Sequence, residues 1–429
     1  MKIIGKLLLF VSLLVPACLF AQEEEAEKTF SMSAQLRPRA EYRNGALNPR
    51  AEGQLPATFI NNRARLSLDF KRDNLELRMS AQHVGVWGQE PQMERNGRFM
   101  LNEAWAKLKS DKGFFAQLGR QALAYDDERI LGALDWNISG RYHDVLKLGY
   151  ENDMNKLHLM FAFNQNEEKV IGGSYYLPIG QPYKNMQTAW YHYGNNSQQF
   201  NISLLVMNLG WEVGDAVTEK ASNSFMQTLG TYMTYKPGNW DFNGSFYYQM
   251  GKNRWDTKVS AFMASVRAGY MLSDKWAFSL GSDYMSGDDP DNDKFNAFDP
   301  LYGTHHKFYG SMDYFYPGMF RNVGLWDNMA GIKFKPCAKV DMSLDYHYFL
   351  IAQHYKAASG GNISKGLGSE LDFQINWSIM KDVKLMAGYS VMLGSESMDY
   401  IKGGNHKSWQ DWGWISININ PSLFFTKWK

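Results

Sequence analysis

Residues 118–150 read LGRQALAYDDERILGALDWNISGRYHDVLKLGY and gather Arg120, Asp126, Asp127, Glu128, Arg129, Arg141, Asp144 and Lys147 among aromatic and aliphatic side chains. A guanidinium presents paired N–H donors that match a carboxylate, so this mixture suits ion pairing and anion binding. No nucleophile motif such as G-x-S-x-G accompanies it, although serines are plentiful and histidines occur at positions 83, 143, 158, 192, 305, 306, 347, 354 and 406. The His305-His306 pair reads as a loop packing element. A second acidic stretch, DDPDND at 288–293, offers Asp288, Asp289, Asp291 and Asp293 to a cation such as Ca²⁺. It lacks the glycine and distal glutamate of an EF-hand loop, so a solvated acidic loop is the plainer reading.

The elements that position these charges follow from the whole chain. The 429 residues open with MKIIGKLLLFVSLLVPACLFAQ, a basic start, a short apolar run and Ala21. That pattern is a secretory signal peptide over 1–21, followed by an acidic leader over 22–28 and a single remaining domain over 29–429. A lipoprotein signal around Cys18 is the rival reading. Cleavage leaves Cys337 as the sole cysteine, which excludes a disulfide framework. Lys and Arg number 45 against 44 Asp and Glu, a balance that argues against nucleic acid as partner. No later segment approaches eighteen consecutive apolar residues, so no transmembrane helix is expected. Yet aromatic residues make up 15% of a chain whose mean hydropathy is −0.43. Aromatic girdles around a wet interior would account for both values, as would a secreted β-sandwich or carbohydrate-binding fold.

Periodicity decides between them. FNISLLVMN places Phe200, Ile202, Leu204 and Val206 on one face, and ELDFQINWSI sets Leu371, Phe373, Ile375 and Trp377 against Glu370, Asp372, Gln374 and Asn376. Such period-two segments of about ten residues are the signature of spanning strands. Tight-turn residues near 73, 112, 153, 196, 238, 274, 337 and 382 alternate with longer irregular stretches such as 165–185, 209–224, 286–320, 351–367 and 394–408. Eight short turns predict nine hairpins. The expected fold is all-β, a transmembrane antiparallel up-and-down barrel of about 18 strands with short periplasmic turns and long extracellular loops. Its last segment, WISININPSLFFTKWK, reads as a closing strand, and a propeller is disfavoured because no repeated signature marks each unit.

If the apolar faces meet lipid, the opposite positions line the lumen. Arg37, Arg39, Glu41, Arg43, Arg63, Arg65, Arg78, Lys147, Lys156 and His158 then face inward from the first seven strands. Asp241, Asp283, Asp341, Asp345, Glu370 and Asp372 face inward from the second half, with Arg267 as the exception. The expectation is a basic wall and an acidic wall facing each other across water. The 286–320 connection is long enough to fold over the mouth as a lid or constriction.

The segment GRQALAYDDERILGALDWNISGRYHD resembles the strand–loop–strand signature of the alginate-export family of outer-membrane barrels, and NRARLSLDF, LNEAWAKL and SGDDPDNDKFNAFDPLYGTHHKFYGSMDYF look similar to other family segments. The likeness covers most of residues 30–350. It implies a monomeric 18-stranded channel without cofactors, set in outer-membrane lipid, whose basic pore guides a polar or anionic solute such as a polysaccharide. Carried over by position, it implies that Arg120, Arg129, Arg141 and Asp144 project into the lumen, with Arg37, Arg39, Arg63 and Arg65 on comparable inward strands. The acidic second half departs from that pattern. A porin for small solutes, an outer-membrane enzyme, and an adhesive barrel presenting Trp255, Trp326 and Trp409 on loops are the alternatives.

Overall fold

The computed structural model describes residues 27–93, 99–165, 168, 170, 182–214, 222–289, 291–316, 322–356 and 360–429. The expected signal peptide, and the leader apart from Glu27 and Lys28, lie outside the described residues.

One antiparallel sheet contains every strand and closes on itself. The first half comprises β1 (Lys28–Asn44), β2 (Ala57–Arg72), β3 (Leu75–Val86), β4 (Phe99–Lys109), β5 (Phe114–Gln121), β6 (His143–Glu151), β7 (Asn155–Phe163), β8 (Asn185–Gly194) and β9 (Phe200–Val213). The second half comprises β10 (Ser222–Tyr235), β11 (Trp240–Lys252), β12 (Lys258–Met271), β13 (Trp276–Met285), β14 (Leu325–Cys337), β15 (Val340–Ile351), β16 (Gly366–Met380), β17 (Val383–Gly394), β18 (Asp411–Ile419) and β19 (Ser422–Trp428). The last two are one spanning strand in two pieces. Pro421 supplies no N–H for the ladder, and β1 shifts register between Met32 and Ser33 opposite the break. Counted so, the barrel has 18 strands. All eight expected tight turns fall at one end, and a short helix α1 (Glu396–Lys402) occupies the connection before β18 at the other.

Alternation sorts the side chains as the sequence implied. Leu66, Leu118, Leu204, Leu280 and Phe373 point outward and are exposed, while Arg63, Gln82, Asp283, Asp327 and Glu370 are buried on the opposite face. The interior departs from expectation in being partly apolar. Met160, Met186, Met207 and Met263 of the strands pack with Leu123, Leu131, Tyr302, Tyr309 and Phe315 from two connections. Those connections are loop 3 (122–142, between β5 and β6) and loop 7 (286–324, between β13 and β14). Both fold into the barrel, so the two charged walls do not simply face each other across water. Trp326, expected on a loop, lies in β14, with its indole N–H donating to Ser282.

Candidate functional site

The lumen is built around the docking of loops 3 and 7. They pair with each other first: the N–H of Gly132 donates to Tyr302 O at 2.9 Å, that of Tyr302 to Ile130 O at 3.0 Å, and that of Thr304 to Glu128 O at 2.8 Å. Leu131 and Tyr302 thereby form a parallel bridge. Lower down, Trp136 stacks on His306 with centroids 4.3 Å apart, and His306 is fixed by Asp313 at 3.0 Å.

The basic wall grips loop 3. Arg63 is fully buried, and its guanidinium reaches Asp135 Oδ1 (2.6 Å) and the carbonyls of Asp135 (3.2 Å), Asn137 (2.6 Å) and Ile138 (2.5 Å). Arg37 holds the other oxygen of Asp135 at 3.1 Å and its carbonyl at 2.7 Å. Burial opposes the charge of Asp135, but Arg63 and Arg37 outweigh it and hold the carboxyl below its ordinary range. Arg39 pairs with Glu41 at 2.8 Å, donates to Trp136 O at 3.0 Å and lies 4.0 Å from the Trp136 ring centre. Arg65 is taken up by Gln82 at 2.9 Å and Asn102 at 3.3 Å, and Arg78 bridges Asp69 (2.9 Å) and Glu103 (2.8 Å). The sequence-selected arginines of β1–β3 are thus brought together, and those of β1 and β2 are largely committed to protein partners.

The acidic wall grips loop 7. Glu370 Oε1 accepts the N–H of Met312 at 2.7 Å, and Asp372 Oδ2 accepts that of Ser311 at 3.3 Å. Gly310, at φ 84°, lies so close that a Cβ there would stand 2.6 Å from Glu370 Oε2. Asp283 instead crosses to loop 3: Arg129 is 2.9 Å from it and 2.7 Å from Asp127, and lies 4.0 Å from the Phe308 ring centre. Arg129 is only 2% exposed, so it is a buried pin and not a group open to solute.

Two expected lumen residues are on the wrong side. In β5 Arg120 alternates with Leu118 and Phe114, and in β6 Asp144 alternates with Leu146 and Leu148. The register sets Arg120 opposite Asp144, as it sets Leu118 opposite Leu146. They form a two-bonded pair on the outer face (2.9 and 3.0 Å), with Arg120 lying 4.3 Å from the Tyr142 ring centre. Mutual neutralisation is what permits both charges on that face. Arg141 closes loop 3 by donating to Gly303 O at 2.8 Å, and burial lowers its hold on the proton. Lys147 shares the inward face with Val145. Asp288 and Asp289 accept backbone N–H groups of their own loop, from Asn296 (2.9 Å) and Asp291 (3.1 Å). No cluster able to hold a metal ion occurs among the described residues.

Sequence reasoning missed Asp135 and Trp136, which receive the arginine wall, and two lysines. Lys333 of β14 and Lys384 of β17 form no ion pair among the described residues. Both line a chamber of about 660 Å³ below the joined loops, which Trp136, His306 and Asp345 also border. Their alternation with Ile332, Phe334 and Leu385 was readable; nothing in one sequence marked their lack of partners.

Loop 3 carries one pH-sensitive group. Burial raises Asp126 to about 6, against hydrogen bonds from Ser203 and the Trp190 indole (3.1 Å). An acid whose folded value is raised stabilises docking fully below its unfolded value near 4, and that contribution is lost as pH rises through about 6. Asp126→Asn should therefore raise the melting temperature relative to wild type more at pH 7 than at pH 4.5, with a difference of about 1–2 kcal/mol given partial exposure. Equal shifts at both values would show that Asp126 does not titrate in that window.

A closed 18-strand antiparallel barrel with an apolar exterior, short turns at one end and long loops at the other is an outer-membrane channel of porin type. Solved barrels of that type match it closely in shape. OpdK of Pseudomonas aeruginosa with vanillate is 11% identical at a TM-score of 0.61, covering 91% of this chain and 99% of that one. OccK2 (OpdF) of Pseudomonas aeruginosa in complex with glucuronate is 12% identical at 0.59, covering 92% and 98%. A BenF-like porin from Pseudomonas fluorescens Pf-5 is 11% identical at 0.61, covering 92% and 99%. These likenesses establish the fold. No curated protein sequence matches the chain. The family model for alginate export matches residues 24–394, and the chain belongs to that family. It resides in the outer membrane, with the long loops outside and the short turns in the periplasm.

Proposed function

We propose that the barrel is a passive conduit that acts as a solute filter: it passes polar, anionic solutes of the sugar-acid kind, as a monomer, through a charged lumen. The observation that supports this reading is the chamber below the joined loops, into which Lys333 and Lys384 project without forming an ion pair among the described residues, although Asp345 is near enough to feel the charge of Lys333. Unpaired ammonium groups in a confined aqueous space raise the local concentration of anions. Vanillate and glucuronate, held by two similar barrels, are both carboxylates. In this reading Arg37, Arg39 and Arg63 act on solute mainly by positioning loop 3, while Arg65, Arg78 and Lys147 line the wall. Lys333→Glu with Lys384→Glu should lower anion preference several-fold in reversal-potential measurements across a salt gradient. Unchanged selectivity would remove this chamber from the selective path.

A second reading, a porin for single small acids, is favoured by the docking of loops 3 and 7 across the lumen. A polymer needs those loops displaced, whereas a monosaccharide acid fits a chamber of about 660 Å³. Liposome swelling with uronate monomers and longer oligomers separates the two.

A further inference from the structure

The connection between β11 and β12, residues 253–257, is short, lies at the extracellular end and is held stiffly. Asn253 is buried, and its Oδ1 accepts the N–H groups of Trp255 (3.0 Å) and Thr257 (3.1 Å), while its carbonyl accepts Ser224 Oγ at 2.5 Å. Lys252 Nζ grips both oxygens of Asp256 at 3.0 Å. This scaffold presents two side chains outward, Arg254 and Trp255, and Trp255 is 72% exposed. An exposed indole on a stiff turn contributes little to stability, so its use lies in what it touches.

Beside it is a hollow of about 550 Å³ bordered by Trp211, Trp255, Arg254, Glu212, Ser222 and Asp256. Trp211 is buried and fixed by its indole N–H, which donates to Pro182 O at 2.9 Å. The Arg254 guanidinium lies 5.8 Å from the Trp211 ring centre and 5.7 Å from that of Trp255. The two acids are neutralised, Glu212 by Lys184 (2.5 Å) and Asp256 by Lys252 (3.0 Å). Arg254 forms no ion pair among the described residues, the Asp299 carboxylate acting on it only through its field, so its N–H fork can take an anion.

We propose that this hollow is an extracellular capture site for an acidic sugar residue at the mouth of the barrel, distinct from the chamber of Lys333 and Lys384. The C–H face of a pyranose ring lies on the Trp255 indole, and the Arg254 fork takes the ring's carboxylate through two hydrogen bonds. Because the turn is already ordered, little conformational freedom is lost on binding. The site deepens the reading of the barrel as a sugar-acid channel and rests on it.

The test uses the full chain in detergent micelles, titrated with trigalacturonate and with neutral maltotriose, following the fluorescence difference between wild type and Trp255→Phe. The expected result is a saturable change with trigalacturonate and none with maltotriose. Arg254→Gln should weaken the apparent affinity about tenfold, and Arg254→Lys less, with small-ion conductance unchanged in every variant. Arg254→Gln titrating like wild type, or maltotriose binding equally, would overturn the site. Quenching of Trp255 by brominated phospholipid without any sugar response would overturn it too, making the indole an interfacial anchor. Trigalacturonate that binds here yet fails to cross in liposome assays would support the site and sink the sugar-acid channel. Passage without binding would do the reverse.

Discussion

Replacing Arg63 by Ala should open the lumen, seen as a larger and noisier single-channel conductance in planar bilayers. The guanidinium makes one hydrogen bond with Gln35 at 3.3 Å and four with loop 3, three of them to backbone carbonyls. Water cannot easily replace it, because the side chain is fully buried between strand and loop. Truncation would leave Asp135 and the loop carbonyls of Asp135 and Asn137 with Arg37, and would take from the Ile138 carbonyl the guanidinium that it accepts from. The Asp135 side chain is 64% exposed, so the loss lies mainly in the charge-assisted bonds to the loop and costs about 1.5–3 kcal/mol, enough to make the docked loop a minority state if docking is worth no more than that. Arg63→Lys should fail nearly as badly, since one ammonium cannot reach Asp135 and the carbonyls of Asn137 and Ile138 together. The fold should survive, because Arg63 contributes its backbone to the ladder whatever its side chain. Conductance identical to wild type in both variants would mean that loop 3 is held elsewhere or does not restrict ion flow.

The same arginine shows where the sequence was readable and where it was not. Strand number, the eight turns and the facing of most strands follow from local rules, because a residue's face is set by parity and a turn by its own few residues. Arg63 inward could be read that way from Ala64 and Leu66. Its partner could not, because Asp135 lies 72 positions further along and reaches it only after loop 3 folds into the barrel. Arg120 is the instructive failure. Parity from Leu118 places it outside, and the family likeness drew it inside; the local rule was the better guide. The break before β19 was visible as Pro421 but carried no sign of how β1 would adjust. Charge segregation was likewise legible as a pattern. Its use in seating loops 3 and 7 depends on contacts between the two halves, such as Arg129 with Asp283, 154 positions apart.

That last pair yields the largest expected loss of stability. Arg129→Ala should lower the temperature at which the folded barrel converts to its unfolded form on heating, followed by gel mobility or circular dichroism. The wild-type guanidinium satisfies Asp127 and Asp283, receives support from Tyr309 at 3.3 Å and covers Phe308. Removing it leaves Asp283, which is 1% exposed, with Arg267 as its remaining cation at 3.2 Å. The cost should fall toward the lower end of about 3–5 kcal/mol because that second arginine stays. Arg129→Met fills the volume and keeps contact with Phe308, so the difference between Met and Ala reports packing, and what remains reports charge. Arg129→Ala with Arg267→Ala strips both cations from Asp283 and should exceed the sum of the single losses, since either arginine alone can still neutralise the carboxylate. Strictly additive losses would show that Asp283 does not couple loop 3 to the strand wall, and that the pin is Asp127 within the loop itself.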